Sequence, residues 1–347
     1  MANSPIDQLQ KLTGKEWETI KLAENNSIKE KERIAEILYV NGTKIIDSDC
    51  DFVVFGSLAR NEFTSGSDLD WTLLIDGVSK PDHQNTVVDL RNKLRESGYN
   101  DPGTTGTFGG MAFSHDMIHH IGGFEDGNKN TTRRLLLLLE SFPVSKQNNS
   151  VVYKNVIKNI LTRYLNKSFT TGDLKFPRFL LNDIVRYWRL ICVDFAAKEW
   201  EEREHKWVLR NIKLRFSRKL LFVAGMLMCY SFNENGKNNL DQDSKLEDVI
   251  NEFVFKTPLE ILAAFLVKHQ LKEIAEDLFD SYDYFLSVLN NESKRKHLEG
   301  LSPKDINEDK TYQNLRKRGH IYQNSLTKMF FEGETSLRDF TIKYGVF

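Results

Sequence analysis

One stretch of this chain limits its fold more than any other. Phe52-Val53-Val54-Phe55 is an apolar run ending in Gly56-Ser57, and after a ten-residue spacer Asp68-Leu69-Asp70 opens a second apolar run, Trp71-Thr72-Leu73-Leu74-Ile75. Two adjacent β-strands joined through a short polar turn satisfy this pattern. Side chains at i and i+2 of a strand share a face, so Asp68 and Asp70 project together, a spacing suited to a divalent cation. Mg²⁺ takes one or two carboxylates and completes its shell with phosphate oxygens. Gly56 lets backbone approach a phosphate closely. Ser57 adds a hydroxyl and an N–H at the start of an expected short helix, where anions are favoured.

The spacer reads Leu-Ala-Arg-Asn-Glu-Phe-Thr-Ser-Gly-Ser. Gly-Ser, a spacer and Asp-x-Asp, in register with two strands, resemble the signature of the polymerase-β-like nucleotidyltransferase superfamily. The branch most similar contains the protein-PII uridylyltransferases, where x-x-Arg-x-Glu and Ser-Asp-x-Asp follow the Gly-Ser; Arg60 and Glu62 match that pattern. The resemblance covers about residues 45–142. It implies an NTP substrate, with Gly56, Ser57 and Arg60 at its phosphates and Asp68 and Asp70 holding Mg²⁺ or Mn²⁺. The nucleoside monophosphate would pass to an acceptor hydroxyl on a protein, a second nucleotide or a small molecule.

The superfamily normally adds a third carboxylate on a neighbouring strand. Asp116, in a segment read as a strand, and Asp126, ahead of the helix expected from Arg133, are the two candidates, and the sequence leaves the choice open. Relatives of this kind also place a lysine or serine of a helical domain against the phosphates. Lys213 and Ser217, in the densest basic stretch of the chain (Arg210–Lys219), are the matching residues. On a helix Lys206, Arg210 and Lys213 would share a face with Ser217. A catalytically degenerate nucleotide sensor, lacking the third acid, is the competing reading.

The totals exclude several classes. The chain has 347 residues, a net charge of −1, 40% hydrophobic and 28% charged residues, which is ordinary for a folded protein and advertises neither nucleic acid nor membrane. The lack of a long basic arm argues against an RNA acceptor. The three cysteines, Cys50, Cys192 and Cys229, are odd in number and widely spaced, which points to a reducing compartment. Met1–Asp7 lacks the features of a secretion signal, and the longest apolar run, Leu220–Tyr230, is too short to span a bilayer. A cytoplasmic location is expected.

Periodicity organises the rest. Residues 6–40 read as two helices and 82–97 as a third, while Met111–Ile121 reads as an extended segment closed by Gly122-Gly123. Beyond residue 150 the pattern is helical, over 151–166, 178–200, 207–231, 258–268, 270–291 and 311–330, with one polar loop at 233–243. The expected class is α+β: a small mixed-sheet nucleotidyltransferase domain with N-terminal helices at 1–145, then an all-helical domain at 146–347 that closes the nucleotide cleft. His115, His119 and His120 cluster near the extended segment without metal-ligand spacing.

Overall fold

The computed structural model describes residues 4–346 apart from 41–42, 65, 103–106, 146–149, 169–176, 202–205, 236–247, 249, 251–252 and 254. The chain is mixed α+β and forms two compact units. One comprises Met1–Ala23, Leu180–Asn238 and Pro258–Phe347; the other comprises Glu24–Phe179 and Asn239–Thr257. The units do not follow the expected division after residue 145. Helix α1 (Pro5–Thr13) belongs to the helical unit, where the nearby Trp17 packs on Phe279 and donates its indole N–H to Asp280 at 2.8 Å. At the other end, the first helix beyond residue 150 stays with the sheet, because the buried Asp51 carboxylate accepts the Tyr153 N–H at 2.9 Å.

Helix α2 (Glu18–Ile37) leads into a short antiparallel pair, β1 (Tyr39–Val40) and β2 (Thr43–Lys44). The main sheet follows. Strand β3 (Cys50–Phe55) runs into the single turn α3 (Gly56–Ala59), then come β4 (Trp71–Ile75), α4 (Pro81–Glu96), β5 (Gly110–Phe113), α5 (Ser114–His119), α6 (Asn128–Leu139), β6 (Ser141–Pro143) and α7 (Val151–Ser168). The strand order is β5-β4-β3-β6, with β4 antiparallel to β3 and parallel to β5, and β6 antiparallel to β3.

Strands β3 and β4 are buried along their whole length, which fits their nearly unbroken apolar sequence. Phe52, Val54, Trp71 and Leu73 face Ile34 and Leu38 on one side and Val87, Leu90 and Leu94 of α4 beside them. Val53, Phe55, Thr72 and Leu74 face the other side, toward Met117 of α5 and Leu136 and Leu137 of α6. Phe52 and Trp71 stack across the strand pair at 5.2 Å between ring centroids. Each such side chain contributes about 1.5–3 kcal/mol when removed from water.

The helical unit adds α8 (Arg178–Glu201), α9 (Trp207–Lys213), α10 (Lys219–Asn235), α11 (Pro258–Lys268), α12 (Lys272–Asn290), α13 (Glu292–Gly300), α14 (Lys310–Lys328) and α15 (Thr335–Phe340). A π-helical turn, Leu214–Arg218, joins α9 to α10. Phe216 in that turn stacks on Phe285 of α12 at 4.7 Å and contacts Tyr282 and Tyr322, forming an aromatic core. The polar loop expected at 233–243 lies outside the described residues beyond Asn235. No helix among the described residues is long and apolar enough to cross a membrane.

Candidate functional site

The end of β3 and the approach to β4 form one corner. Phe55 is extended, and Gly56 then takes φ +67°, a left-handed value that favours glycine. The Phe55 N–H donates to Asp70 O at 2.9 Å, so the segment before β4 is already paired with the end of β3. Arg60 N–H donates to Gly56 O at 3.0 Å and Glu62 N–H to Ser57 O at 2.8 Å, closing the turn. Farther along, Thr64 and Ser67 are bonded to one another through backbone and hydroxyl, which returns the chain to Asp68.

Alternation persists through the two acids. Leu69 is buried, whereas Asp68 is exposed and Asp70 half-buried, so both carboxylates project opposite to Leu69. Asp70 lies against the turn itself: a β-carbon at Gly56 would meet Asp70 Oδ2 at 3.0 Å. Gly56 and Asp70 are therefore brought together, with Ser57 and Asp68 one and two residues away along the chain, and the glycine makes room for the Asp70 carboxylate. Oxygen donors of this kind suit a hard cation.

Other expected site residues take different positions. Arg60 is buried with its guanidinium in ion pairs to Glu62, at 2.8 Å, and to Glu140. Its charge is directed at carboxylates within the unit, which corrects the expectation of Arg60 at the phosphates. Asp126 is likewise engaged. Arg134, wholly buried, donates to both its oxygens at 3.1 and 2.9 Å, and the Gly122 N–H donates to Oδ2 at 3.0 Å. The same guanidinium donates to Tyr164 Oη at 2.6 Å and to Met117 O, so Asp126 anchors a structural network rather than standing available as a base. Asp116 is half-buried in helix α5, not on a strand, and it interacts electrostatically with Arg133.

Lys213 and Ser217 lie in the helical unit. Lys213 ends α9 and is half-buried. Ser217 is 2% exposed and its hydroxyl donates to Lys213 O at 3.3 Å, so the expected phosphate contact from Ser217 is corrected to a bond within the helix. Lys206 precedes the helix with φ +58° and its carbonyl accepts the Arg210 N–H at 3.0 Å; the π turn begins after Lys213 and changes only the spacing to Ser217. His115 and His119 pack at 4.8 Å between centroids on α5, and both line a polar cavity of about 470 Å³ with Asp76, Ser114 and Arg163.

One cation was missed. Arg133 borders a small pocket on the Phe55, Thr72 and Phe108 side of the sheet, and its Nε is buried without a hydrogen-bond partner. Burial disfavours its charged form, and the Asp116 carboxylate offsets part of that cost. The tandem Arg133-Arg134 was the available signal: on a helix neighbours diverge, so only one of the two can serve Asp126.

The chain matches no protein-family model, and no curated protein or solved structure matches it.

Proposed function

We propose that the protein transfers a nucleoside monophosphate from an NTP to an acceptor hydroxyl, releasing pyrophosphate. The observation that carries this reading is the carboxylate of Asp70 set against the bare Cα of Gly56, with the exposed Asp68 two residues away. Asp68 and Asp70 would hold Mg²⁺ or Mn²⁺. When bound, the metal neutralises charge on the phosphoryl oxygens. The turn at Gly56 and Ser57 offers its hydroxyl and close backbone to the NTP phosphates. Arg133, whose guanidinium retains an unpartnered Nε, supplies positive charge on the same side of the sheet. Since Asp126 is committed to Arg134, Asp116 is the acid we assign to take the acceptor proton.

A second reading rests on β5. Residues 102–115 contain no Asp or Glu, so the strand beside β4 brings no third carboxylate to the pair. A nucleotide sensor built on the same turn fits that absence. Incubating the full chain with each labelled NTP and Mg²⁺ or Mn²⁺, with and without cell lysate, separates the two. Pyrophosphate release and a labelled acceptor support transfer. Saturable NTP binding with neither supports the sensor, and no metal-dependent NTP binding overturns both.

A further inference from the structure

The start of β3, at the far end of the strand from Gly56, gathers three metal-ligating side chains. Asp49, Cys50 and His83, the last in the first turn of α4, each offer a ligand atom, and these atoms all lie within 4.8 Å of one another. No other such group of three occurs among the described residues. Cys50 Sγ is 3.4 Å from Asp49 Oδ1, and His83 Nε2 is 3.5 Å from Asp49 Oδ2. Around a tetrahedral zinc ion, with ligand bonds of about 2.0–2.3 Å, neighbouring ligand atoms stand roughly 3.3–3.7 Å apart. Each Asp49 oxygen thus already stands at a coordination-shell distance from one of the other two ligand atoms, and a small rotation of the carboxylate brings one oxygen to both.

His83 supplies a second, independent sign. Its side chain is wholly buried. Nδ1 accepts the Lys80 N–H at 3.3 Å, while Nε2 is buried with no hydrogen-bond partner and is directed at Asp49. A buried polar nitrogen left unbonded is costly and uncommon in folded proteins. A cation between Nε2, the Asp49 carboxylate and the Cys50 sulfur would satisfy it.

We propose that Asp49, Cys50 and His83 form a Zn²⁺ site that ties the start of β3 to α4. Thiolate, imidazole and carboxylate together select zinc over magnesium or calcium, which prefer oxygen alone. The fourth position is left for water, reached past Asp49, whose side chain is 18% exposed. Lys80 is the competitor. Its ammonium sits 2.5 Å from Asp49 Oδ2, where a cation would bind, and its N–H holds the imidazole. Zinc therefore displaces the Lys80 ammonium from Asp49. It also places the ring proton on Nδ1, which gives up the long bond from the Lys80 N–H.

The test uses the untagged, reduced full chain, stripped with a chelator and titrated with Zn²⁺ against a chromophoric competitor, then with Co²⁺. One Zn²⁺ per chain is expected, together with a thiolate-to-cobalt charge-transfer band in the near ultraviolet. Asp49→Asn and His83→Gln should each weaken zinc binding by ~10-fold or more. Lys80→Met, an exposed change, should strengthen it. Because Cys50 lies in the core, a Cys192→Ser/Cys229→Ala variant tests the thiol without touching it, and must keep the cobalt band. Failure of the wild-type chain to bind Zn²⁺ overturns the proposal. So does loss of the band in that variant, or affinity left unchanged by His83→Gln and Lys80→Met.

Discussion

The Asp70 carboxylate lies against Gly56: a β-carbon there would stand 3.0 Å from Oδ2, a tight contact, and Gly56 holds φ +67°. Gly56→Ala imposes a penalty twice over. The left-handed backbone costs an alanine about 1–2 kcal/mol, and the methyl group crowds the Asp70 carboxylate, which must give by a few tenths of an ångström. Chemical denaturation should read the first and calorimetry of metal-dependent NTP binding the second. A variant with wild-type affinity would separate Asp70 from the nucleotide.

Asp68→Ala and Asp70→Ala should abolish nucleotidyl transfer while leaving the far-ultraviolet circular dichroism unchanged. Asp68 is exposed, so its removal opens no core cavity. Losing one carboxylate of a metal pair is worth several kcal/mol in the transition state, a rate loss of ~100-fold or more. Turnover of either variant near the wild-type rate removes the acid pair from the chemistry.

Asp126→Asn distinguishes a structural acid from a base. It leaves the buried Arg134 guanidinium with a neutral partner, and breaking a buried pair costs about 3–5 kcal/mol. The midpoint of urea unfolding should fall accordingly, with transfer by the folded fraction retained. Unaltered stability with transfer lost would restore Asp126 to the active site.

Lys219 predicts a pH dependence. Burial, reinforced by the neighbouring Arg215, lowers its pKa from 10.5 to about 8. Below about 8 the lysine is charged in the folded and unfolded states alike, and the desolvation cost is present in full. Between about 8 and 10.5 the folded protein releases the proton first, so the unfolded chain binds more protons and stability rises with pH. Denaturation across that window should show the wild type gaining stability relative to Lys219→Met. Parallel curves for the two proteins would place Lys219 in water.

Local pattern carried much of the architecture. The helices expected at 151–166, 178–200 and 258–268 appear at Val151–Ser168, Arg178–Glu201 and Pro258–Lys268, because apolar periodicity is imposed by burial on one face. The corner at Gly56 and Asp70 was legible for a related reason: glycine, turn and alternation are all short-range. Met111–Ile121 was misread beyond Phe113. Met117, Ile118 and Ile121 are buried at helical spacing, and the Ser114 hydroxyl donates to Asp76 at 2.6 Å as α5 begins. Arg60 shows the harder limit. Its partner Glu140 is 80 residues away, and no local signal announces that the two meet.

The alternation of the two units along the chain has a consequence for how this protein can be divided. Segments of one unit and the other follow in turn, so the backbone passes between them four times, after residues 23, 179, 238 and 257. A fragment ending at residue 145 therefore omits α7 and leaves Asp51, 3% exposed, without the Tyr153 N–H that it accepts. Neither half is a contiguous piece of the gene. A break of the chain anywhere within residues 24–257 divides both units at once, so the acid-bearing half cannot be moved to another scaffold as one uninterrupted segment.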